Sequence, residues 1–236
     1  MPLAVYSATI TRILQLTPTV RQLTLTLHNN ATIPFHTGQW VYLHLNNNGT
    51  ILKRAFSIAS SAHQPGVLDF CVKKVEGGIG SAIIFSLHEG DPVSLSGPFG
   101  HFTLKPTTRD LVFIATGSGI APFRPMLHDL IRHHASNTIT LFFGTRTEDE
   151  LIYRDEMEKT MKSHNTFHYY PILSRGAPDW NGDRGHVQEL VKKYIHQENK
   201  NQDFYICGLK EMVLSVKELL EQMGVPKEQI YFERYN

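Results

Sequence analysis

Apolar and polar positions alternate through the first hundred residues and then change rhythm. Leu23, Leu25 and Leu27 alternate with Thr24 and Thr26, the period-two pattern of a strand with one buried face. Short runs of this kind, Val5 to Leu14, Arg21 to Leu27, Gln39 to Leu45, Lys53 to Ala59, Val67 to Val75 and Pro92 to Ser96, are separated by turn clusters such as His28-Asn29-Asn30 and Asn46-Asn47-Asn48-Gly49. Six such strands predict an antiparallel barrel, interrupted by one helix at Gly78 to Leu87. From about residue 107 strand and helix take turns. Strands are predicted at 111–116, 138–144, 166–172, 203–207 and 230–234, with helices near 122–134, 149–162, 186–196 and 210–223. In the last helix Met212, Val213, Val216, Leu219, Leu220 and Met223 recur at helical spacing, and Gly224 and Pro226 stop it. The expectation is a β barrel plus α/β: a six-stranded antiparallel barrel over 1–106, then a five-stranded parallel, doubly wound domain over 107–236.

The first strand of the second half leads into a turn with chemistry in it. Leu111 to Ala115 is an unbroken apolar run, as of a strand buried on both faces, and Thr116 and then Gly117-Ser118-Gly119-Ile120-Ala121-Pro122 follow. Two glycines around one small residue allow positive φ and close approach to a ligand, while Ala121 and Pro122 begin a helix whose free N–H groups favour an anion. The spacing Gly-x-Gly-x-x-Pro lacks the third glycine of a dinucleotide fingerprint, so an ordinary strand-to-helix turn is the alternative.

Composition narrows the classes. With 41% apolar residues, 19% charged and a formal net charge of +1, the 236-residue chain carries no global basic surface for nucleic acid. Met1 to Ile10 has no basic flank before an apolar core, and no stretch nears the ~20 apolar residues that span a bilayer, so no membrane insertion and a cytoplasmic location are expected. Cys71 and Cys207 are the two cysteines, too few for a disulfide framework, a thiolate zinc site or a built-in iron–sulfur cluster, and the thirteen histidines show no ligand spacing. No metal is expected.

Six motifs, in order along the chain, resemble the ferredoxin–NADP reductase superfamily over essentially the full length. Arg54-Ala55-Phe56-Ser57 resembles that family's Arg-x-Tyr-Ser flavin motif, Gly78-Ile79-Gly80-Ser81 its Gly-x-x-Ser, and Gly97-Pro98-Phe99-Gly100 its Gly-Pro-x-Gly. Gly117 to Pro122 is similar to its Gly-Thr-Gly-x-x-Pro, Cys207-Gly208 to its Cys-Gly pair, and Phe232-Glu233-Arg234-Tyr235 to its acidic and aromatic terminus. The resemblance implies an FAD-binding barrel and an NAD(P)-binding α/β domain.

It also implies roles. Arg54 would pair with the flavin pyrophosphate, Phe56 would stack on the ring in place of the usual Tyr, and Ser57 would reach N5, with Ala55 between them. A surface cation and a core aromatic are the alternatives for Arg54 and Phe56. Gly78, Gly80 and Ser81 would offer N–H groups and a hydroxyl to the pyrophosphate, and Tyr235 would contact the cofactor. Gly117, Ser118, Gly119, Pro122 and Gly208 would cradle the pyridine nucleotide, while Cys207 and Glu233 would sit with Ser57 at the site of hydride transfer. A buried free cysteine is the other account of Cys207, and the one retained for Cys71. Ser174-Arg175, as in NADP-using members, and Arg146 would read a 2′-phosphate, or be exposed loop cations.

The function so implied is transfer of a hydride from NADPH (or NADH) to FAD, with electrons passed to a separate ferredoxin or flavodoxin. A flavin reductase, the reductase component of an oxygenase, and a non-catalytic redox-sensing subunit are the alternatives, and the oligomeric state is left open. Residues 1–108 hold seven Lys and Arg against four acids, a net of +3, and 109–236 the remaining 16 basic and 18 acidic residues, a net of −2. An acidic carrier would suit the more positive half.

Overall fold

The computed structural model describes residues 4–64, 66–196 and 201–235. The chain divides into two compact units: the residues up to Leu104 together with Ala121–Asp129, and Lys105–Ile120 together with Leu130 onward. The outer ends of the two expected domains, at 1 and 236, lie outside the described residues.

The first unit is built on six antiparallel strands, β1 (Val5–Thr17), β2 (Val20–Leu27), β3 (Trp40–Asn47), β4 (Thr50–Ser57), β5 (Val67–Lys73) and β6 (Pro92–Phe99), in the order β4-β3-β6-β1-β2-β5. A bridge between Ile58 and Phe70 brings the two ends of this order together, which makes the sheet a barrel. Strand β4 stops at Ser57, short of the predicted Ala59, because the chain there changes partner: Ile58 N–H donates to Gln39 O at 3.0 Å and Ala59 N–H to Asp69 O at 2.8 Å. Inward residues such as Ile10, Leu23, Leu25, Leu43, Phe70 and Leu95 form the core, capped by Ile84 of helix α1 (Ile79–Ser86).

The segment Ala121–Asp129 packs with this unit. Phe123 meets Phe102 edge-on at 5.8 Å, and Arg124 Nη1 donates to Ala59 O at 3.0 Å and Asp69 Oδ2 at 3.3 Å. It forms most of helix α2, Phe123–Arg132, which buries Phe123, Pro125, Met126 and Leu127.

The second unit is a parallel sheet of β7 (Asp110–Thr116), β8 (Ile139–Thr145), β9 (Phe167–Leu173), β10 (Asp183–Arg184), β11 (Gln202–Leu209) and β12 (Ile230–Tyr235), ordered β10-β9-β8-β7-β11-β12. The five predicted strands are present, and β10 adds a sixth, two residues long, at the edge. Helices α3 (Arg154–Ser163), α4 (Val187–Tyr194) and α5 (Lys210–Gln222) complete it. In α5 the side chains of Val213, Val216 and Leu220 are buried, as the spacing predicts. Helix α3 begins at Arg154 rather than 149. Glu148–Glu150 forms a 3-10 turn and Tyr153 takes a left-handed φ of 59°, a break that apolar periodicity does not register. Among the described residues no helix is long and apolar enough to cross a membrane.

Candidate active site

In the first unit the end of β4 faces β3 in register: Leu43 opposite Arg54, Tyr42 opposite Ala55, Val41 opposite Phe56 and Trp40 opposite Ser57. Arg54 and Phe56 therefore share one face and Ala55 and Ser57 the other. Phe56 is half-buried against the barrel core, Ser57 is buried and Arg54 is exposed. The Arg54 stem lies over the start of α1, where a Cβ added to Gly80 would be 2.9 Å from Arg54 Cγ and 3.0 Å from Nε. The absent side chain at Gly80 is what lets the guanidinium reach this helix start, which carries no acid in its first turn.

Ser81 is engaged locally. Its Oγ accepts from Val75 N–H at 3.0 Å and donates toward the carbonyls of Val75 at 3.1 Å and Gly78 at 3.0 Å, so it shapes the glycine turn. The first-turn N–H groups, which have no intrahelical acceptor, and Arg54 are the donors that would meet an anion at this helix start. That pairing of a helix start with a guanidinium fits a pyrophosphate.

An aromatic wall escaped the sequence reading. Trp40 lies 4.8 Å from Tyr42 and 4.9 Å from Phe99, and Tyr42 lies 5.5 Å from Phe99. By register Trp40 and Tyr42 share the face of Ser57 and Ala55. Gly100 allows the packing, since a Cβ there would come 2.8 Å from the Trp40 ring. The alternation Trp40-x-Tyr42 was the available signal.

In the second unit the carboxyl ends of the strands carry the remaining candidates. The sheet order reverses direction between β7 and β11, the position where open α/β sheets bind ligands. Strand β7 ends at Thr116, then Gly117 takes φ 52° and opens a 3-10 turn through Ile120. A Cβ at Gly117 would meet nothing within 4 Å, whereas one at Gly119 would lie 2.3 Å from Cys207 O and 2.7 Å from Gly208 Cα. Gly208, at φ 147°, would place a Cβ 2.5 Å from Thr116 Oγ1. The glycines thus serve different ends: Gly117 leaves room, while Gly119 and Gly208 let two strand ends close on each other. Thr116 Oγ1 is buried with no hydrogen-bond partner, a polar atom that a nucleotide phosphate or amide would satisfy. Ser118 is half-buried beside it, and Pro122 is buried where the turn passes into α2.

Cys207 is fully buried and pairs in register with Ala115 on one side and Glu233 on the other. Burial pushes its thiol well above the ordinary value of 9.0, and the neighbouring Glu233 carboxylate adds to the rise, while a hydrogen bond with Tyr235 and one with the Gly208 backbone oppose it. The thiol stays protonated at neutral pH. Three of the predicted residues, Cys207, Glu233 and Tyr235, are in this way brought to one place.

The two predicted arginines meet through their backbones. Arg175 N–H donates to Arg146 O at 2.7 Å, Ser174 N–H to Thr145 O at 3.0 Å, and Arg146 N–H is held by Glu150 Oε2 at 3.0 Å. Arg146, Ser174 and Arg175 are exposed at the ends of β8 and β9.

Residues 7–104 match the family described as the oxidoreductase FAD-binding domain, and residues 113–218 the oxidoreductase NAD-binding domain. The chain is 37% identical over 238 residues to ferredoxin--NADP reductase B of Sorangium cellulosum (strain So ce56), covering 98% of each protein. It is 33% identical over 239 residues to the reductase component DmpP of phenol 2-monooxygenase from Pseudomonas sp. (strain CF600), covering 99% of this chain and 66% of that protein. A solved ferredoxin NADP+ reductase from Neisseria gonorrhoeae with bound FAD and NADP has the same fold, with a TM-score of 0.86 at 24% identity over 98% of both chains.

Proposed function

The chain belongs to the ferredoxin–NADP reductase family of NAD(P)H-dependent flavoprotein reductases, and from that premise we propose that it oxidises NADPH and delivers the electrons to a separate ferredoxin or flavodoxin in the cytoplasm. The observation that carries this reading is the meeting of Cys207, Glu233 and Tyr235 with the Thr116-Gly117 turn at the reversal point of the sheet. FAD supplies the conversion of a two-electron donor into one-electron steps.

The chain's own residues bind and orient. Over 1–106, Arg54 and the first turn of α1 hold the pyrophosphate, Phe56 and Ser57 border the ring, and Ala55 keeps that strand end slim. Over 107–236, Gly117, Ser118, Gly119 and Pro122 admit the nucleotide, and Thr116 Oγ1 joins them. Cys207 Sγ keeps its proton, so it acts through shape and as a weak donor and is no nucleophile. Glu233 and Tyr235 flank it, and Gly208 lets the nucleotide turn close on this strand end. Arg146 and Arg175, with Ser174, face the 2′-phosphate, the planar forks matching its oxygens in pairs.

Electron supply to an oxygenase is the second reading, favoured by the similarity to the phenol 2-monooxygenase reductase component. With two cysteines among these 236 residues, an iron–sulfur carrier must lie outside them. Steady-state reduction of ferredoxin, flavodoxin and free FMN under NADPH or NADH separates the readings. The proposal expects NADPH with a protein carrier to be fastest; fast turnover of free FMN alone overturns it.

A further inference from the structure

The loop between Ser174 and Asp183 is closed from within by a side chain at its far end. Arg184, in β10, pairs in register with Leu173, the residue just before Ser174. Its Nη1 donates to Gly176 O at 2.7 Å, and its Nη2 to Ala177 O at 2.7 Å, Trp180 O at 2.9 Å and Pro178 O at 3.2 Å. Carbonyl oxygens that converge on one point repel unless a cation sits among them, and a guanidinium has the donors and the span to serve four at once.

The rest of the loop is folded to suit. Trp180 Nε1 donates to Asp183 O at 3.0 Å, and its N–H to Ala177 O at 2.9 Å. Gly182 and Gly176 make room: a Cβ at Gly182 would fall 2.4 Å from the Trp180 ring, and one at Gly176 3.2 Å from Arg184 Nη1. Outside, Arg154 lies over the Trp180 ring at 5.6 Å, and Lys193 Nζ is 2.7 Å from Asp183 Oδ1. Ser174 and Arg175 leave β9 directly into this capsule.

We propose that Arg184 is a positioning residue for nucleotide selection: by gathering the carbonyls of Gly176, Ala177, Pro178 and Trp180, it holds the loop in the one shape that keeps Arg175 beside Arg146. The inference rests on the reading of Arg146 and Arg175 as 2′-phosphate contacts. A loop ordered beforehand loses less entropy when the phosphate arrives, so the cap raises NADPH affinity without touching the nucleotide. NADH, lacking that phosphate, gains nothing from it.

The test uses Arg184→Met in the flavin-loaded protein, with hydrogen exchange of the nucleotide-free form as the second readout. Expected are a KM for NADPH raised about tenfold at unchanged kcat, an unchanged NADH reaction and flavin spectrum, and faster amide exchange over 175–182. A raised KM with unchanged loop exchange overturns the proposal, because Arg184 would then act on the phosphate directly. Faster exchange with an unchanged ratio of NADPH to NADH efficiency also overturns it, leaving Arg184 a purely structural cap. Arg175→Ala in parallel isolates the underlying reading: if that variant leaves the ratio unchanged, the 2′-phosphate assignment fails. If it collapses the ratio while Arg184→Met does not, only the present inference fails. Should Arg184→Met not fold, Arg184→Lys keeps the charge, loses the fork and is read in the same two ways.

Discussion

Gly119→Ala tests the account of the nucleotide turn most directly. The added methyl would sit 2.3 Å from Cys207 O, 2.7 Å from Cys207 C and 2.7 Å from Gly208 Cα, where ordinary contact begins at 3.4 Å. All three obstacles are backbone atoms, and Cys207 is paired on both sides, to Ala115 of β7 and Glu233 of β12. Strand β11 therefore holds, and the turn must retreat by about 1 Å. Overpacking of this kind costs about 1–3 kcal/mol of stability, and a 1 Å misplacement at a reacting centre costs up to about 100-fold in rate. Urea unfolding should show a lower midpoint at unchanged slope, and stopped-flow mixing with NADPH a slower bleaching of flavin absorbance at unchanged flavin content. Gly117→Ala is the internal comparison. Its methyl meets no protein atom within 4 Å, so in the urea comparison it carries only the strain of φ 52°, roughly 1 kcal/mol. Wild-type stability and wild-type reduction in Gly119→Ala would refute the argument that this glycine exists to let the two strand ends close.

Arg54→Ala should weaken FAD binding by about 1.5–3 kcal/mol, the range for a hydrogen bond to a charged group, and full occupancy after dialysis would count against the pyrophosphate contact. Cys207→Ala should slow flavin reduction in stopped flow without releasing flavin, whereas an unchanged rate would return Cys207 to a packing role. The raised thiol pKa also makes a stability prediction: the neutral buried thiol contributes fully below its ordinary 9.0, and the contribution drains away at higher pH as the unfolded chain ionises first. Urea titrations should thus show a fall beginning near pH 9 that Cys207→Ala flattens. Electron transfer to an acidic carrier should slow as salt rises, and neutralising the exposed Lys53, Lys73 and Lys74 in pairs should lessen that slope; salt-independent transfer would argue for another acceptor.

Much of this is legible in the sequence alone. Strand, glycine turn and helix over 110–132 follow from an apolar run, two glycines and an amphipathic segment, all local signals. The gathering of Cys207 with Glu233 and Tyr235 was accessible only through a family resemblance, because it depends on parallel pairing between strands that are neighbours in space. Three features stayed hidden. Strand β10 has two residues and hence no period to detect. Arg184 reaches carbonyls four to eight positions back, contacts that composition does not encode. The isolation of Thr116 Oγ1 arises where the ends of β7 and β11 close on each other at Gly208, a contact between strands far apart in the chain.

The passage of Ala121–Asp129 into the first unit bears on inheritance. Reductases of this kind would be easiest to recombine if each half were a continuous stretch, exchanged at a junction near residue 106. Here such a junction would part Phe123 from Phe102 and Arg124 from Ala59 and Asp69, leaving Asp69 its hydrogen bond from Thr24 but without its guanidinium. Donor and recipient must already agree at both ends of these contacts. The short segment that the later half of the chain lends to the earlier one therefore ties the two halves covalently, and a cut near residue 106 would remove from the first unit residues that its own packing uses.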